Sequence, residues 1–217
     1  MRQFSSRRLI YDFYQFNTSG NPDLQGIFYS AMRSTLRMLT MREPAIGIVD
    51  LPNANVTSWI NFLNYYGYSC SIVRKPDDLA NCDTIILPGV GHFSNGAAYL
   101  IRTGLGLALT ERLAEGSTKV IGICLGMHLL YESSKEGSGT GLSLFKGEVS
   151  AFADMTDRAT NIGWGYVDTG AIELQRVYFN HSFFVPPDKD ETVAEFTYRS
   201  LRFSAIVRKG NAVGIQF

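Results

Sequence analysis

Four short apolar runs, each closed by turn residues, constrain the fold of this chain more than any other feature. They are "AIGIVD" at 45–50, "YSCSIV" at 68–73, "TIILPG" at 84–89 and "KVIGI" at 119–123. Between them lie stretches of another texture. Val56, Trp59, Ile60 and Leu63 fall at helical spacing up to Gly67, a polar "RKPDDLANCD" has room for a short helix, and a helical stretch runs through 97–115 with breaks at Gly104 and Gly106. Strands alternating with helices over such lengths need long crossovers, which make a parallel sheet with helices on both faces.

Beyond Gly137 the texture turns to β, in "LFKGEVSAF", "RVYFNHSFFV", "TVAEFTY" and "FSAIVRKGNAVGIQF", the last reading as a hairpin that turns at Gly210 and Asn211. The predicted class is therefore α/β: an open, mostly parallel sheet with helices on both faces plus an antiparallel C-terminal part, in one domain over 45–217. Residues 1–44 read as an N-terminal extension outside that fold. They hold six Arg, no Lys and three acidic residues, and "NTSGNPD" breaks them. "MRQFSSRRL" has the flavour of a transit leader, while Met41 offers a later start that would put a strand at once at the N-terminus.

The net charge is zero, and 45–217 carry fourteen basic against seventeen acidic residues, so no basic footprint for nucleic acid is present. Three scattered cysteines, Cys70, Cys82 and Cys124, make neither a disulfide framework nor a metal-ligand spacing. No window approaches the roughly 18 apolar residues of a membrane span. A cytoplasmic protein without metal or cofactor is expected.

Reactive groups of open α/β sheets sit at the carboxyl ends of strands. Cys124 stands there, after "KVIGI" and before "LGMHLLYES", which has the apolar spacing of a helix. Gly122 and Gly126 flank it as G-x-C-x-G, the cysteine counterpart of a nucleophile elbow. Such a turn exposes the sulfur, and a helix N-terminus is expected to lower the thiol pKa. "LPGVGHF" at 87–93 follows a neighbouring strand and is suited to offer backbone N–H groups to an oxyanion. Cys70 and Cys82 have no such setting and read as packing residues.

Together these residues resemble a class I, triad-type glutamine amidotransferase, most closely the glutaminase subunits of imidazole glycerol phosphate synthase. The likeness runs from about Ala45 to Phe217. "GICLGM", "PGVG" with its following aromatic, "NIGW" at 161–164, "YFNHSFF" at 178–184 and "VRKGNAVGIQF" at 207–217 carry it in order. The resemblance implies a flavodoxin-like sheet and hydrolysis of glutamine to glutamate and ammonia. Cys124 would form a glutamyl thioester, with Gly89, Val90, Gly91 and Leu125 supplying oxyanion donors. Gly126, His128, His181, Ser182 and Phe183 would bind substrate. A (β/α)8 barrel cyclase subunit would complete a heterodimer and receive the ammonia.

The sequence departs from that pattern in places. His128 stands where the family usually has a substrate-binding glutamine, Pro52 and Ala54 stand where it tends to glycine, and Thr160 with Asn161 replaces a Pro-His pair that lies towards the partner. The family's His-Pro-Glu follows a strand like "GIQF", and of that triad the given chain carries the cysteine. Three readings follow: a glutaminase subunit truncated at its C-terminus, an inactive homologue that binds or regulates a partner, or an ammonia supplier for amination of a surface-polysaccharide sugar. His128, one helical turn beyond Cys124, could face the sulfur, but no carboxylate is evidently placed to orient it as a base.

Overall fold

The computed structural model describes residues 45–168 and 175–217; the extension expected at 1–44 lies outside them. The four apolar runs are strands: β1 (Ile46–Val49), β2 (Cys70–Val73), β3 (Thr84–Leu87) and β4 (Lys119–Ile123). They pair in parallel in the order β2-β1-β3-β4. Their side chains alternate between the faces. Ile46, Ile48 and Ile86 pack with Val56, Phe62 and Leu63 of helix α1 (Val56–Tyr65). Val49, Ile85, Leu87 and Val120 pack on the opposite face with helices α2 (Phe93–Arg102) and α3 (Leu105–Ala114). The period-2 pattern of each strand thus feeds two cores, which is why these runs read as continuously apolar.

Of the two breaks expected in the helical stretch over 97–115, the one at Gly104 divides it into two helices. Gly104 adopts φ +73°, a left-handed conformation that ends one helix and starts the next, whereas Gly106 lies inside α3. The segment "RKPDDLANCD" holds one 3-10 turn at Pro76–Leu79. Cys82 is buried against Gly47, whose added Cβ would stand 2.8 Å from the Cys82 sulfur, so its role is packing.

The second half holds β5 (Ser133–Ser134), β6 (Glu148–Ala151), β7 (Asn161–Val167), β8 (Gln175–His181), β9 (Phe183–Phe184), β10 (Thr192–Tyr198), β11 (Leu201–Lys209) and β12 (Ala212–Ile215). β11 and β12 form the expected hairpin across Gly210 and Asn211, with Lys209 opposite Ala212. β12 then enters the first sheet parallel to β4, with Ile215 opposite Ile123. The sheet therefore has seven strands in the order β10-β11-β12-β4-β3-β1-β2, parallel in its body and antiparallel at the β10-β11 edge. β7, which strand patterning did not single out, pairs antiparallel with β8 in a separate two-stranded ribbon. Phe152, Phe179, Phe184 and Phe203 fill a third core between ribbon and sheet.

Candidate active site

Between β4 and helix α4 (Leu125–His128) the chain turns through a single residue, Cys124, at φ +52° and ψ −108°. A non-glycine residue held at positive φ is uncommon and is what a nucleophile elbow requires. Two glycines make the turn possible. A Cβ on Gly122 would stand 2.5 Å from the Gly126 carbonyl oxygen, and a Cβ on Gly126 would run into the Leu87 carbonyl. The Cys124 N–H donates to Ile215 O at 2.7 Å, which ties the elbow to the carboxyl end of β12.

The loop after β3 lies against this turn. A Cβ on Gly89 would meet Leu125 Cβ at 2.6 Å and Gly126 N at 3.0 Å, so the two backbones touch where only glycine fits. Gly91 sits at φ +151°, and Val90 between the glycines is 59% exposed. His92, next along, is the N-cap of α2, its Nδ1 accepting from Ser94 N at 3.3 Å.

The helix expected from Leu125 onward is one turn long. Leu129 to Glu132 give their carbonyls to a returning segment instead: Leu142 N donates to Leu129 O, Leu144 and Phe145 N to Leu130 O, and Gly141 N to Glu132 O. The apolar spacing of "LGMHLLYES" is real, since Leu129, Leu130 and Tyr131 are buried, but it serves a compact turn.

This changes the electrostatics of the thiol. Burial pushes the Cys124 thiol up to about 11; the Leu125 backbone N–H works against that, and the Glu136 carboxylate adds to it. The expected lowering by a helix dipole is thus reversed, because four helical residues sum to little dipole and the sulfur is desolvated beside a negative group. Glu136, which the sequence reading passed over, is half-buried and accepts from Phe93 N at 2.8 Å. Burial raises its own pKa, against the Phe93 N–H and the nearby His92. One acidic residue in the polar run "SSKEGSG" carries no sequence signal of its own.

The histidines expected at the substrate are turned inward. His128 is 4% exposed, and its Nε2 lies 2.9 Å from Gln216 Oε1. His181, also buried, has Nδ1 2.7 Å from Phe183 O and Nε2 3.0 Å from Asn161 Nδ2, so both its ring nitrogens are engaged. Burial pushes each imidazole down to about 4, so both are neutral. Ser182 and Phe183 are partly exposed beside them, with Ser182 O accepting from Phe152 N. Gln216, which sequence reasoning also missed, donates from Nε2 to Cys124 Sγ at 3.8 Å. Among the described residues no helix is long and apolar enough to cross a membrane, and no group of three or more His, Cys, Asp or Glu could hold a metal ion.

Known proteins resemble this chain in sequence and in fold. Imidazole glycerol phosphate synthase subunit HisH 2 of Methanococcus maripaludis is 33% identical over 181 residues, spanning 79% of this chain and 90% of its own. The HisH subunit of Halalkalibacterium halodurans is 34% identical over 186 residues, spanning 79% of this chain and 86% of its own. A crystal structure of a glutamine amidotransferase superposes with a TM-score of 0.67 at 18% identity, covering 79% of this chain and 88% of that one. Residues 48–217 match the family described as glutamine amidotransferase class-I. With that match over most of its length and relatives above 30% identity, the chain belongs to the class I glutamine amidotransferase family.

Proposed function

We propose that the protein is a glutaminase subunit that hydrolyses glutamine to glutamate and ammonia and passes the ammonia to a (β/α)8 barrel cyclase subunit making imidazole glycerol phosphate. The observation that carries the reading is Cys124 held at positive φ on the elbow, with the Gly89 loop pressed against Leu125. The relatives named as HisH subunits support the choice of pathway.

In this reading Cys124 Sγ attacks the side-chain amide carbon of glutamine. N–H groups of the Gly89, Val90 and Gly91 segment and of Leu125 receive the oxyanion. The amide nitrogen leaves as ammonia on taking a proton, and water then cleaves the thioester to give glutamate and the free thiol. Glu136 is suited to the substrate's α-ammonium, and the backbone of Gly126, Ser182 and Phe183 to its remaining polar groups. In the family that the sequence resembles, the base follows a strand like β12. The carboxyl end of β12 adjoins the elbow, so a base delivered from there would reach the sulfur. On the outer side of β7, Ile162, Trp164 and Tyr166 are 57, 46 and 62% exposed, an apolar ridge suited to a protein partner.

The test is glutamate release from glutamine by the full-length protein with and without a barrel cyclase. Partner-dependent release that Cys124→Ala lowers by at least about a hundredfold is expected. Release no greater than that of Cys124→Ala would sink the reading. A second reading, a subunit that binds or regulates without turning over, is favoured by a specific feature: His128 Nε2 is engaged by Gln216 while the thiol stands at about 11.

A further inference from the structure

Gln216, 1% exposed at the end of β12, bridges two side chains of the elbow. His128 Nε2 lies 2.9 Å from its Oε1, and its Nε2 lies 3.8 Å from Cys124 Sγ. A carboxamide has one accepting end and one donating end, so the two contacts are not independent. When His128 carries its proton on Nε2, it donates to Oε1 and leaves the NH2 group to donate to sulfur. When the proton sits on Nδ1, the bare Nε2 needs a donor, the carboxamide turns over, and its oxygen faces the sulfur as an acceptor for S–H. A donor at the sulfur favours the thiolate; an acceptor favours the thiol.

We infer that Gln216 is a thiolate donor to Cys124, and that His128 is a positioning residue acting through it, its Nε2–H holding the carboxamide with NH2 towards Sγ. The assignment rests on Cys124 being the nucleophile of the site. His128 occupies the position at which the resembled family usually has a substrate-binding glutamine, and here its ring faces Gln216 instead. The ring suits the task because it stays neutral: burial holds it at about 4, so near pH 7 it carries no charge next to the sulfur. The titratable groups around the pair come from two other elements. Glu136, from the loop after β5, bears on the thiol, and His128 itself bears on His181, from β8. Beside them the Leu125 N–H also stabilises the thiolate. An aliphatic residue at 128 would leave Gln216 Oε1 buried without its donor and free the carboxamide to turn.

The experiment reads thiol reactivity rather than turnover. Iodoacetamide alkylation of Cys124 in the full chain is followed against pH by peptide mass spectrometry, with Cys70 and Cys82 as internal references. Gln216→Leu is expected to move the Cys124 midpoint up by about one pH unit, a roughly tenfold slower reaction at any pH well below it. His128→Leu should give most of that shift, and His128→Gln, whose amide can donate to Oε1, should restore the original midpoint. A midpoint unmoved or lowered in Gln216→Leu overturns the assignment. The unaltered protein gives a second measurement that does not depend on any variant folding. Long-range 15N–1H correlation of labelled histidines at pH 7 should find His128 as the Nε2–H tautomer, and the Nδ1–H tautomer overturns the assignment. Because neither measurement needs glutamine, absence of glutamate release would sink the glutaminase reading and leave this result standing, and the reverse holds too.

Discussion

Gly126 has no room for a methyl group, since its Cβ would fall on the Leu87 carbonyl, a backbone atom at the end of a central strand. Relief requires moving either β3 or the elbow. Gly126→Ala is therefore expected to lower the unfolding free energy by about 3 kcal/mol in urea titrations. Gly116→Ala is the control: φ is +71° but nothing lies within 4 Å, so only the left-handed conformation is strained, at about 1 kcal/mol. Equal losses in the two variants would mean that the elbow is not pinned by Leu87. The elbow was legible because its demands are local: glycine two residues either side of a cysteine at a strand end. The thiol's ionisation was not. It depends on Glu136, twelve residues on, and on Gln216, which only the sheet order brings near.

At the scale of elements, the strands of the parallel half could be read from the sequence because each is a short apolar run between turn residues. The fate of "LGMHLLYES" could not. Its spacing suits a helix, and the competing partner is the segment 141–145, which takes the carbonyls of Leu129, Leu130, Tyr131 and Glu132. Gly141 enables that return: a Cβ there would run into Tyr131 O and come within 2.7 Å of Leu129 O. Gly141→Ala should thus cost about 2 to 3 kcal/mol and alter Cys124 alkylation, although it lies far along the chain from the sulfur. Unchanged alkylation would show that the turn after α4 does not hold the elbow. β7 escaped the sequence reading for a related reason. Its outward residues Ile162, Trp164 and Tyr166 are apolar, so the polar-out alternation of a half-buried strand is missing. If that ridge meets a partner, Tyr166→Ala should weaken partner binding by tenfold or so while leaving thermal stability unchanged, as read by titration calorimetry and melting. Intact binding would place the partner elsewhere.

Across the whole molecule, the antiparallel hairpin does more than extend an edge: it brings β12 into the parallel body and so joins the two halves of the chain around one buried polar cluster. Asn161 and His181 come from the ribbon, His128 from the elbow and Gln216 from the position just after β12. This arrangement ties global stability to pH. His128 and His181 are pushed from their ordinary 6.5 down to about 4 by burial, while in the unfolded chain both would titrate near 6.5. Between about 4 and 6.5 the unfolded state therefore binds more protons than the folded one, and stability rises with pH across that window. Each imidazole contributes roughly 3 kcal/mol over the full window, and no further loss from them follows below it. Glu136 has a raised pKa and acts with the opposite sign, its contribution lost as pH rises through the carboxylate range, so it partly offsets the histidines near the acid end. Urea midpoints should thus fall steeply from pH 7 to pH 4.5 at constant ionic strength. His128→Gln keeps a polar group at the cluster but removes one titration, and should flatten the slope by about half. A slope identical in the variant and the parent would mean that His128 titrates alike in the folded and unfolded protein, and that the cluster is not the neutral unit its burial requires.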